Sequence, residues 1–220
     1  EEARRRVCFL CPDEGVERTL ADAAPWVNRR LALWGVHSPA QQVEWPRRAS
    51  TRSVLLIGPG RDLGACRDAL EGLALIRKST PNLLVFLDAA LVRDSSNLWK
   101  HAERLKMLDC LSVIDDTESR RELSLQVDAL LVPERLDEHR TIILDAMAHN
   151  VLVFARAGCP MTAVRPDDTA VVLDRADPED WERALGAVLN DPERASALCD
   201  RAARFVRETR FASAHVRGAL

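Results

Sequence analysis

Short apolar runs, each followed by a stretch of helical spacing, constrain this chain more than any other feature. They read Ser53–Ile57, Leu83–Leu87, Leu111–Ile114, Ala129–Val132, Val151–Phe154 and Ala170–Leu173. Near-continuous Val, Ile and Leu over so few residues marks strands covered on both faces. Helices are expected between them, over about 62–78, 95–108, 118–126, 139–149 and 178–190, with more from 192 onward. Asp177-Pro178-Glu179 and Asp191-Pro192-Glu193 each place a capping Asp before a first-turn Pro and an acid, the chemistry of a helix start. Strand and helix in strict alternation predict an α/β fold, a doubly wound parallel sheet with helices on both faces.

The first 52 residues break that rhythm. A strand is expected over Arg6–Cys11, then a long helix over Val16–Leu33, a short Gln42–Trp45 segment and a breaker-rich link, Pro46–Arg52. The chain therefore divides into a segment 1–52, packing on the main body, and a main domain 53–220. Cys8 and Cys11 have metal-like spacing, yet alternation along a strand turns their thiols to opposite faces. With no second pair and no His cluster, no metal is expected, and the six cysteines read as buried reduced thiols.

The charge balance, 31 basic against 34 acidic residues, gives a net −3 and argues against nucleic acid as a partner. No run approaches the roughly 18 apolar residues of a membrane span. Glu1–Arg6 lacks the apolar stretch of a signal peptide, so a cytoplasmic location is the default. The chain starts without Met and reads as a fragment of a longer protein.

In sheets of this class ligands bind beyond the carboxyl ends of the strands. Gly58-Pro59-Gly60-Arg61 stands there, between a strand and a helix. Its glycines can let a phosphate approach bare backbone, and Arg61 can add a bidentate contact. The dinucleotide fingerprint fails, because its third glycine position holds Leu63. A tight turn that needs glycine explains the same residues. A second candidate runs from Val132 to Ala148 as strand, acidic loop and helix. Asp137 falls at or near the helix start, while Asp145 falls mid-helix, where Asp is a poor helix former. Thr141, Asp145 and His149 share one side at helical spacing. A carboxylate there suits sugar hydroxyls; a helix cap and a solvated helix face are the competing explanation.

These segments carry a resemblance. From about residue 53 onward the chain resembles the C-terminal, donor-binding domain of GT-B glycosyltransferases of the retaining, family 4 (group 1) type. Val127–Pro133 resembles the family's "aDvfvlPS" strand, and Ile143–Val153 its "lEAMAaGvPVv" helix and strand. Asp177–Trp181, Asn190–Arg194 and Ala202–Arg204 resemble its trailing helices, and 7–45 its hinge segment. The resemblance implies a Rossmann-like half of a GT-B fold that binds a nucleotide-diphosphate sugar as substrate, with no metal or other cofactor. It also implies that an N-terminal acceptor domain, or a partner chain, completes the cleft.

Two family Glu residues, separated by seven, hold the donor's sugar and ribose. They fall here on Asp137, the implied catalytic position, and Asp145, each one methylene shorter. The family's "GFG" falls on Glu138-His139-Arg140, next to Thr141. Its diphosphate-neutralising Arg and Lys fall near Pro59 and Leu63, leaving Arg61 and Arg140 as substitutes. Its Gly-Gly-x-x-Glu loop appears as Ala157–Thr162, without the acid. Losing cations at the leaving diphosphate removes transition-state stabilisation. Two readings stay open: a divergent glycosyltransferase donor domain built on Gly58, Gly60, Arg61, Asp137, Glu138, His139, Arg140, Thr141 and Asp145, or a non-catalytic GT-B-like domain kept for protein–protein interaction. A receiver-like signalling domain is disfavoured by the long gap between Cys11 and Ser53.

Overall fold

The computed structural model describes residues 8–36, 39, 44–46, 50–93, 96–115, 122–135 and 140–210. The chain opens with β1 (Cys8–Cys11), α1 (Glu14–Ala23) and β2 (Asn28–Leu31), the two strands pairing in parallel. The expected helix over 16–33 is therefore two elements. Pro25 disfavours helical backbone at the residue before it, and Ala24 caps α1 with φ −146°. The polar Asn28–Arg30 run then pairs with β1, although its residue types point away from a strand.

The expected apolar runs all become strands of one sheet: β3 (Arg52–Leu56), β4 (Leu83–Asp88), β5 (Leu111–Ile114), β6 (Ala129–Val132), β7 (Leu152–Arg156) and β8 (Val171–Leu173). All neighbours are parallel, in the order β5-β4-β3-β6-β7-β8. The chain builds outward from β3 through β4 to β5, then returns to β6 on the other side of β3. The switch point of the doubly wound sheet thus lies between β3 and β6, and in sheets of this class the ligand crevice lies beyond the carboxyl ends at that point.

Alternation along each strand divides the core. Val54, Leu56, Val85, Leu87, Leu131 and Phe154 face one layer of helices, α2 (Leu63–Ile76), α4 (Ser96–Arg104) and α6 (Pro178–Leu189). A one-turn helix, α3 (Ala90–Arg93), precedes α4. Leu55, Ile57, Leu130, Val132 and Val153 face the other layer, α5 (Arg140–Ala148) and the later turns of α7 (Pro192–Thr209), whose Ala195, Leu198 and Cys199 pack with the first layer. Asp177 and Asp191 cap α6 and α7 as their sequences predict, accepting from the amides of Asp180 and Arg194.

Two anchors hold the switch point. Asp128 Oδ2 accepts from the amide of Ser53 at 2.8 Å and its hydroxyl at 2.9 Å, clamping the starts of β3 and β6 together. The Asp128 carbonyl in turn accepts from the Trp45 indole at 3.1 Å. Helix α2 packs on α6 at Gly72, where an added Cβ would lie 2.3 Å from the Trp181 Cβ. No disulfide joins the cysteines among the described residues; Cys11, Cys66, Cys110 and Cys199 are buried as expected, while Cys159 is only half-buried. Cys8 departs from that expectation. It is exposed because β1 and β2 form a separate two-stranded sheet whose outer face carries no cover among the described residues.

Candidate functional site

The turn from β3 into α2 lies at the mouth of the crevice. Gly58 is buried, and a Cβ there would meet Leu91 Cδ2 at 3.1 Å and the Glu134 carboxyl carbon at 3.2 Å. Gly60 has φ +77° and would put a Cβ 3.1 Å from the Ala90 carbonyl, so this position requires glycine. Arg61 is exposed. Asp62 caps α2, its Oδ1 accepting from the Ala65 amide at 3.0 Å, while its Oδ2 accepts from Arg156 Nη1 at 3.2 Å. Arg156 ends β7, so a guanidinium from the second half of the sheet reaches the first helix start of the other half.

Glu134 is the unexpected member. It follows β6 by two residues and is 2% exposed. Its Oε1 accepts from the Asp62 amide and the Cys66 thiol, both at 3.3 Å. Its Oε2 is buried and has no hydrogen-bond partner among the described residues. Burial first, and then the adjacent Glu134 carboxylate, push the Cys66 thiol well above its ordinary range.

Helix α5 delivers the remaining candidates. Thr141 is exposed in its first turn, and Asp145 follows four residues later at 8% exposure. The two therefore share a side of the helix, and Ile142–Leu144 and Ala146–Ala148 are buried against the sheet. His149 Nδ1 lies 2.8 Å from the Asp145 carbonyl, and Asn150, at φ +56°, ends the helix in the left-handed conformation. Arg140 opens α5. Asp137, Glu138 and His139 lie outside the described residues.

The loop after β7 has no acid of its own over Ala157–Thr162, yet two carboxylates meet it at Thr162. The Thr162 hydroxyl bonds Glu14 Oε2 at 2.7 Å and Asp13 Oδ2 at 3.0 Å, and its amide donates to Asp13 Oδ1 at 3.3 Å. Arg210 closes the cluster from the end of α7, donating to Asp13, Glu14 and Thr162. Gly15 is part of the same approach, since a Cβ there would fall 1.8 Å from the Pro160 carbonyl. Burial acts most on Glu14 and would raise its carboxyl. Thr162, the residue's own backbone N–H and Arg210 together outweigh it and hold the group below the usual range.

The structure thus places Gly58, Gly60 and Arg61 at one wall of the crevice and starts α5, with Thr141 and Asp145, from the strand next to it. Sequence reading missed Glu134 and Arg156. The "aDvfvlPS" alignment runs one letter past Pro133 and sets Glu134 against a Ser, which was the available signal. Arg156 carried a weaker one, a charge closing an otherwise apolar run. A depression of about 440 Å³ opens along the β4–β5 edge, lined by Phe86, Ser112, Ile114, Asp115, Glu122 and Gln126. Among the described residues no group of His, Cys, Asp and Glu could hold a metal ion, and no helix is long and apolar enough to cross a membrane.

No protein-family model matches the chain, and no curated protein matches it in sequence. Solved structures do match it in fold. The C-terminal domain of the glycosyl transferase group 1 family protein LpcC from Francisella tularensis superposes with TM-score 0.63 at 12% identity, over 73% of this chain and 87% of that one. Sucrose-phosphate synthase from Thermosynechococcus elongatus gives TM-score 0.72 at 17% identity, over 96% of this chain and 56% of that one. HepE from Anabaena, solved in complex with UDP-glucose, gives 0.75 at 11% identity, over 98% of this chain and 63% of that one. The chain thus spans 56% and 63% of the length of these two proteins. Sheet order, helix layers and neighbours agree: this chain has the Rossmann-like fold of the C-terminal domain of a group 1 GT-B glycosyltransferase.

Proposed function

We propose that this chain is the donor-side domain of a glycosyltransferase, receiving a nucleotide-diphosphate sugar in the crevice beyond β3, β6 and β7. The observation that carries this reading is the convergence, at the switch point, of the α2 start, Arg156 and the first turns of α5. Helix N-termini and a guanidinium suit a diphosphate, and Asp145 suits sugar or ribose hydroxyls. That HepE was solved with UDP-glucose supports the same crevice as the donor's place.

In a retaining transfer negative charge grows on the departing diphosphate, so cations that meet it there lower the barrier. Arg156 takes that role in this reading, and Arg61 and Arg140 remain the further candidates from sequence. Asp137 keeps the catalytic position, with Glu138, His139 and Thr141 shaping the donor loop. The acceptor half, from the rest of the protein or a partner chain, would cover β1 and β2, where Phe9, Leu10, Leu31 and Trp34 are exposed. Parallel sheets are ordinarily covered on both faces, and this pair is not. We place the protein in the cytoplasm, where nucleotide sugars are the substrates at hand.

The reading is tested by calorimetric titration of the folded chain with UDP, GDP and ADP and their sugar conjugates, with Asp145→Asn alongside. Saturable binding of one nucleotide sugar, weakened about tenfold or more by the Asn change, is expected for a lost charge-assisted hydrogen bond. Absence of binding to any of them by the folded protein would favour the non-catalytic, interaction reading.

A further inference from the structure

The start of α2 is where this crevice would receive a phosphate, and an anion of the protein's own already lies against it. Helix α2 is 14 residues long, so its N-terminus carries the full partial positive charge of a helix end. Asp62 caps it and turns its second oxygen to Arg156. The backbone amide of Asp62 is the donor a phosphate oxygen would use, and it donates instead to Glu134 Oε1 at 3.3 Å. The Glu134 carboxyl group lies flat against Gly58, its carbon and Oε1 at 3.2 and 3.3 Å from where a Cβ would stand. Glycine at 58 therefore makes room for an internal carboxylate. The other carboxylate oxygen, Oε2, is buried with no hydrogen-bond partner among the described residues. A buried carboxylate oxygen left unsatisfied costs free energy and calls for an explanation beyond packing.

We propose that Glu134 is a built-in occupant of the phosphate seat, holding the α2 start closed to a diphosphate until its side chain moves. An incoming phosphate meets two carboxylates, Glu134 and Asp62, and the Arg156 guanidinium is already paired with Asp62. Negative groups brought together in a buried site repel one another strongly. The seat accordingly discriminates against the diphosphate and leaves contacts made elsewhere in the crevice, such as those to a sugar or ribose at Asp145, untouched. For a nucleotide ligand this rests on the donor reading above; the occupancy of the seat itself is readable with an inorganic anion.

The test is calorimetry of the parent chain, Glu134→Ser and Glu134→Gln with inorganic pyrophosphate, UDP and UMP, or the diphosphate and monophosphate of whichever base binds. Gln keeps the packing on Gly58 if Ser disturbs it, and circular dichroism confirms that each variant is folded. Both variants are expected to bind pyrophosphate and the nucleoside diphosphate at least about tenfold tighter than the parent, with a smaller gain for the monophosphate. A gain for pyrophosphate with no nucleotide binding would uphold the occupied seat and overturn the donor reading. A nucleoside diphosphate bound equally by all three proteins would overturn the seat and leave the donor reading standing. No anion or nucleotide bound by any folded variant would overturn both.

Discussion

Arg210 and Asp13, 197 residues apart in sequence, meet with Nη2 3.2 Å from Oδ2, and both side chains are almost fully buried. This ion pair fastens the β1–α1–β2 segment to the end of α7 and, through Thr162, to the loop after β7. Removing one partner of a buried pair leaves the other charge uncompensated. Arg210→Met is therefore expected to cost roughly 3 kcal/mol in urea unfolding. The double change Asp13→Asn with Arg210→Met should cost less than the sum of the two single changes. Strict additivity would mean that the pair does not couple the segment to the main body.

Glu14 shares that cluster, and its pH dependence has a fixed sign. Its folded-state carboxyl is held below the unfolded value, so its contribution to stability is present above the unfolded value and is lost as pH falls through the folded one. The stability gap between the parent and Glu14→Gln should therefore narrow as pH drops from about 6 to about 3. A constant gap across that range would contradict the assignment. The group is partly exposed, so the gap should also shrink in high salt.

Gly72 tests the α2–α6 contact. In an exposed helix Gly→Ala is worth about 1 kcal/mol of stabilisation. Here the added methyl would sit 2.3 Å from the Trp181 Cβ and 3.0 Å from the Pro178 carbonyl. Overpacking of this kind typically costs about 1–3 kcal/mol, so the clash wins and Gly72→Ala should destabilise the protein. A higher melting temperature for the variant would show that α6 moves aside.

The strands of the large sheet were legible because burial on both faces leaves a run of Val, Ile and Leu that few other structures produce. The helix over 16–33 was overread for a related reason. Leu31, Leu33 and Trp34 supply apolar residues at spacings a helix can use, and β2 carries its polar residues in the open, where no apolar run marks a strand. Glu134 stayed hidden because a Glu in an acidic loop is nearly always solvated, and only the close approach of Gly58 and α2 buries this one. The carboxylate pair that meets the loop after β7 was also invisible in sequence. It arrives from Asp13 and Glu14, 149 and 148 residues away from Thr162.

Where a donor lands decides the account most directly. Amide hydrogen exchange of the folded chain, with and without a saturating nucleotide sugar, reads that place. Donor binding in the switch-point crevice should slow exchange at Ile57–Asp62 and in the first two turns of α5, and leave α7 unchanged. Protection confined to other elements, or none at a concentration that saturates binding, would contradict it.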